Sequence, residues 1–98
     1  MNSVKMPSEE IRVSLKNLNN WKLQKNQITK SFKFKDHYIA MAFINAIAWI
    51  SHSQDHHPDM MIGYNQVSVS YCTHSASGIT EKDFVCAKEV DKLIMEDS

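Results

Sequence analysis

At 98 residues the chain has room for one domain, since domains usually run to about 100 to 150 residues and smaller ones have little apolar surface to spare. A hydrophobic share of 43%, 22% charged residues and zero net charge exclude the composition of a disordered chain. Eleven basic residues balance eleven acidic ones and Arg12 is the only arginine, so the field and bidentate forks of a nucleic-acid reader are missing.

Seven of the basic side chains fall between residues 12 and 35 with no acidic one among them, which reads as the solvated face of strands. Cys72 and Cys86 are too few for a disulfide framework, and the MNSVKMPSEE start offers no apolar run to a signal peptidase, so a reducing cytoplasm is expected. The longest apolar stretch, Tyr38 to Ile50, spans 13 residues interrupted only by Asn45. That falls short of the roughly 17 to 25 residues a membrane span needs, and it reads as a buried helix. No repeat or Pro/Gly-rich linker divides the chain, and the expected layout is a loose stretch over residues 1–7 followed by one domain over 8–98.

The elements read in the order α-β-β-α-β-β-α, an α+β fold with a four-stranded antiparallel sheet and the helices on one of its faces. Ser8 can cap a first helix with Glu9 and Glu10 in its first turn and Ile11, Leu15 and Leu18 on one side. From Trp21 the pattern changes to period two, through Leu23, Ile28, Phe32 and Phe34, with Asn26 near the turn of a half-buried hairpin. Asp36 can cap a second helix whose stripe is Ile39, Phe43, Ala46, Ile47 and Ile50, while Met41, Ala48 and Trp49 lie outside that stripe. A helix apolar nearly all round must bury two faces, and in so small a domain the second face points to a homodimer or homotetramer. Pro58 ends this helix and leaves His57 extended. A second hairpin follows over Met60–Tyr64 and Val67–Thr73, with Val67, Val69 and Tyr71 inward and Ser68, Ser70 and Cys72 outward. Thr80 and Asp83 make a capping-box-like start to a third helix that buries Cys86, Ala87, Val90, Leu93 and Ile94.

Four of the five histidines, His52, His56, His57 and His74, lie in one 23-residue window that also holds a helix end and a strand end. At a helix C-terminus the backbone carbonyls favour a protonated imidazole, so such histidines can serve as acids at neutral pH. Spacing alone leaves three readings. His52 and His56, at i and i+4, could join His74 around a zinc ion, although no glutamate completes a helical HExxH arrangement. The imidazoles could instead cap carbonyls and fill a polar corner, or they could be metal-free general acids and bases.

One pattern separates these readings: His52, three residues, His56-His57-Pro58, five residues, Tyr64, nine residues, His74, eight residues, Asp83. It resembles, at every position, the active-site pattern of the pterin-4a-carbinolamine dehydratases. The likeness extends to Trp21, to Phe32-Lys33-Phe34-Lys35-Asp36 leading into an Ala-rich helix with Phe43, and to Thr73-His74 followed by Gly78-Ile79-Thr80-Glu81-Lys82-Asp83, covering roughly residues 8 to 94. Many members carry a carboxylate where this chain has His52.

The resemblance implies a lyase that expels water from a 4a-hydroxytetrahydropterin in pterin cofactor recycling, with His56 and His74 as alternative acids and His57 holding the ring. It further implies contacts to the pterin from Asp55, Cys72, Thr73, His74 and Ser75. His52, Tyr64 and Asp83 would support the site, and hairpin core and helix cap are the structural readings of Tyr64 and Asp83. No cofactor or metal is expected beyond the pterin substrate, and an aromatic amino acid hydroxylase would stand upstream. Vertebrate relatives double as a dimerisation cofactor, so the alternative is a protein-interaction module with little or no catalysis.

Overall fold

The computed structural model describes residues 4–94. Three helices, α1 (Ser8–Leu15), α2 (His37–Gln54) and α3 (Glu81–Leu93), alternate with four strands, β1 (Lys22–Gln24), β2 (Gln27–Lys33), β3 (Asp59–Ile62) and β4 (Gln66–Tyr71). A single 3₁₀ turn, His74–Ala76, interrupts the expected order. The sheet runs β1-β2-β4-β3 and every neighbour is antiparallel. No helix is long and apolar enough to cross a membrane among the described residues.

Period two makes the sheet two-sided. Ile28, Lys30 and Phe32 of β2 stand opposite Tyr71, Val69 and Val67 of β4 on the inner face, where all but Lys30 are buried. On the outer face Thr29 pairs with Ser70 and Ser31 with Ser68, joined by hydroxyl contacts of 2.9 and 2.8 Å. Ala40, Phe43 and Ile47 of α2 and Cys86, Ala87 and Val90 of α3 cover the inner face in one core, with Phe43 packed 4.8 Å from Phe32. Lys30 tolerates its inward register because Asp91 of α3 meets its Nζ at 2.8 Å and also accepts from Trp21 Nε1 at 3.0 Å.

Several expectations shift. Pro7, not Ser8, is the N-cap of α1, and it supplies no side-chain bond; Ser8 is already helical. Leu18 lies beyond the end of α1, half-buried against the core. Leu23 is 49% exposed because the three-residue edge strand β1 carries it past the cover of the helices. The stripe of α2 holds at Phe43 and Ile47, with Ala46 and Ile50 partly buried, while Ala40 is buried in place of Ile39, which is left outside. Leu93 and Ile94 are exposed where α3 runs off the sheet. Met6, expected in a loose segment, is buried and its N–H bonds to the Ile79 carbonyl at 2.8 Å; residues 1–3 of that segment lie outside the described residues.

Cys86 is fully buried, and desolvation, with a smaller push from Asp83, raises its thiol from the ordinary 9.0 to about 11. The folded chain therefore holds this proton more tightly than the unfolded chain does. Its contribution to stability is complete below about pH 9 and is lost as pH climbs toward about 11. Urea titrations across this window are expected to show stability falling by up to about 1.4 kcal/mol per pH unit. A Cys86→Ala chain, less stable at neutral pH, should show a flatter slope there; an identical slope would assign the loss to other groups.

Candidate active site

The last turn of α2 closes at Asp55, whose left-handed φ of 54° lets its N–H and that of His56 both reach the Ser51 carbonyl. The chain leaves the helix there, two residues earlier than Pro58 alone predicts, so His56 and His57 both project from the connection into β3. Across from them β4 ends at Tyr71, and the bridge between Thr73 and Gly78 folds the 3₁₀ turn back toward α3. The two connections face one another at one end of the sheet.

Between them lies a hollow of about 590 Å³. The helix end gives it His52 and Asp55, the following connection His56 and His57, and the β4 end with its turn Cys72, Thr73, His74 and Ser75. Every predicted catalytic and pterin-contact residue therefore lines one cavity, together with His52. Sequence reasoning missed Ala48, Ser51 and Lys82, which also line it. Lys82 was legible only through the capping box, which fixes where the first turn of α3 points. A larger concavity, about 670 Å³, covers the polar face of the sheet and contains no histidine.

The imidazoles differ in setting. His52, His57 and His74 are exposed, whereas the His56 side chain is only 11% exposed and presents Nε2 to Asp83 Oδ1 at 2.6 Å. The Asp83 carboxyl is wholly buried; its Oδ2 accepts from Thr73 Oγ1 and from the Thr80 N–H, both at 2.9 Å. Thr80 Oγ1 in turn accepts from the Lys82 N–H and lies 2.7 Å from Thr73 Oγ1, so its proton goes to Thr73. This carboxyl thus completes the capping box of α3 and anchors an imidazole of the hollow. With Asp83 accepting, Nε2 of His56 carries a hydrogen and Nδ1 has no hydrogen-bond partner within the described residues. Burial raises the Cys72 thiol, with Asp83 and Asp59 adding to it, so the side chain stays a weak donor 4.0 Å from His74 Nε2.

Two predicted supporting residues sit elsewhere. Asp83 lies behind the hollow rather than on its wall, acting through His56 and Thr73. Tyr64 is neither in the hollow nor in the hairpin core: it is 68% exposed and stacks on His37 at 5.6 Å, beside the N-terminus of α2. Strand β3 has carried the chain back along α2, whose 18 residues span about 27 Å, so Tyr64 ends at the far end from His56. Among the described residues no three His, Cys, Asp or Glu side chains gather as a possible ligand set, so the zinc arrangement of His52, His56 and His74 is not formed.

Imidazoles around an open hollow, one of them tied to a buried carboxylate, are groups that can give and take protons near neutral pH. The sequence pattern defining the pterin 4 alpha carbinolamine dehydratases matches residues 4–93, and the chain belongs to that family of hydro-lyases. A relative from Nitrosomonas eutropha assigned to the same dehydratases is 52% identical over 88 residues, covering 89% of this chain and 78% of its own. The fold matches the crystal structure of a transcriptional coactivator/pterin dehydratase from Brucella melitensis with a TM-score of 0.89 and 33% identity, over 93% of this chain and 99% of that one. A pterin dehydratase-like protein described as a RuBisCO assembly factor in the alpha-carboxysome shares the fold at a TM-score of 0.65 and 24% identity, over 76% of this chain and 89% of that one.

Proposed function

We propose that the chain dehydrates 4a-hydroxytetrahydropterin to quinonoid dihydropterin and water by proton transfer from its histidines. The observation that carries this reading is the hollow in which His56, His57 and His74 meet, with His56 held on Asp83. In the step, the C4a–O bond breaks with its electron pair going to oxygen, which takes a proton from an imidazolium and departs as water. The N5 lone pair closes the C4a=N5 bond, and a ring N–H returns a proton to an imidazole. No electrons are exchanged, so the step consumes no redox cofactor. His56 and His74, on opposite connections, serve as alternative acids, His57 holds the ring, and Asp55 with the Cys72–Ser75 segment meets its polar edge. Such a cytoplasmic enzyme would recycle the pterin released by an aromatic amino acid hydroxylase.

Mixing the protein with freshly generated 4a-hydroxytetrahydropterin in a stopped-flow spectrometer tests the reading. Loss of the carbinolamine absorbance is expected to outpace the spontaneous reaction by about two orders of magnitude or more. A rate equal to the spontaneous one favours the second reading, an interaction module. Tyr38, Met41 and Trp49 of α2, exposed by 81%, 37% and 74%, support a homo-oligomer or another protein partner on that face.

A further inference from the structure

We propose that Tyr71 is a positioning residue for His56, an inference that rests on the acid role given to His56 above. Tyr71 closes β4, stands opposite Ile28 in the register, and is fully buried. Its ring lies 5.8 Å from the His56 ring and within 20° of parallel. Asp83 restrains the imidazole at one atom only, Nε2, and a ring held at one edge still rocks about that bond. A flat partner against its face removes this freedom. The two contacts together fix both the edge and the plane of the imidazole and leave Nδ1 for the ligand.

The phenol oxygen points to the ring as the working part. Tyr71 Oη is the only buried side-chain oxygen or nitrogen without a hydrogen-bond partner among the described residues. It faces the Cys86 thiol, and burial, then Cys86, then Asp83 hold its proton on well above the ordinary range. This hydroxyl, with only the weakly bonding Cys86 thiol beside it, does not line the hollow and offers the ligand nothing. The same absence places His56 Nδ1 in the open, because a sealed and unbonded Nδ1 would be a second such atom.

The test compares Tyr71→Leu, which keeps an apolar side chain there without a flat face, with Tyr71→Phe, which keeps the face without the hydroxyl. Tyr71→Leu is expected to lower kcat about tenfold with KM within about twofold, since misplacing a reacting group costs rate rather than affinity. Tyr71→Phe should return kcat to within about twofold of the unchanged chain. Histidine ¹⁵N spectra should show one His56 tautomer in the unchanged and Phe chains and exchange-averaged nitrogens in the Leu chain. Should Tyr71→Leu not fold, the unchanged protein decides: the His56 ring protons must show the upfield shift of a stacked aromatic, and their absence overturns the proposal. Full kcat with unaltered ¹⁵N shifts in a folded Tyr71→Leu chain also overturns it. If His56→Ala slows turnover in that case, the acid reading stands without Tyr71; if His56→Ala is also fully active, both fall.

Discussion

Alanine at both His56 and His74 is expected to slow dehydration by roughly 10² to 10⁴-fold, the usual worth of general acid–base help. Either single change should cost less, because the remaining imidazole can still protonate the departing oxygen from its own side of the hollow. The two changes differ in their structural consequences. His74 is exposed, so its removal should shift stability by no more than about 0.5 kcal/mol. Removing His56 leaves the buried Asp83 carboxyl short of one of its three donors, which costs about 1 to 3 kcal/mol. Rates must therefore be compared well below each variant's unfolding temperature, with circular dichroism confirming the folded fraction. A folded double variant that turns over at the unchanged rate would remove the mechanism.

Asp83→Asn is expected to damage fold and chemistry together. The carboxyl accepts from three donors, His56 Nε2, Thr73 Oγ1 and the Thr80 N–H. A carboxamide of the same shape has one acceptor oxygen and one donor nitrogen. If the oxygen serves Thr73 and Thr80, the amide N–H₂ confronts a nitrogen that also carries hydrogen, and His56 must move its proton to Nδ1 to avoid the clash. The atom offered to the ligand then changes from acceptor to donor in the neutral ring. A loss of stability of about 3 kcal/mol by urea denaturation is expected. Turnover should fall by roughly 10²-fold in the fraction that remains folded. Unchanged turnover in that fraction would confine Asp83 to capping α3.

Much of this arrangement is legible in the sequence. Alternation along Ile28–Lys33 and Val67–Tyr71 identified the inner face of the sheet, because side chains on a strand have only two directions to choose from. The pairing of Thr80 with Asp83 was readable as a cap because both partners lie within one turn. The second partner of Asp83 was not, since His56 is 27 residues away and only the packing of α3 beneath the α2 connection brings them together. The stripe of α2 was legible at Phe43 and Ile47, but Ile39 gave way to Ala40 because almost every position on that helix is apolar and the exact facing is decided by Phe32 and Phe34 meeting Phe43. Tyr64 failed for a different reason. Fixed spacing along a chain carries no information about direction, and one hairpin reversal moved it to the opposite end of the helix.

The left-handed turn at Asp55 narrows what residue 55 can become. A β-branched or bulky side chain there would meet the steric cost of that conformation, of order 1–2 kcal/mol, and would tend to draw the histidines back into the helical spiral. Glycine would accept the bend but leave the wall of the cavity without a polar group at that point. A short polar side chain that tolerates the bend, asparagine first, meets both demands, and Asn20 and Ser77 already adopt the same left-handed backbone elsewhere in the chain.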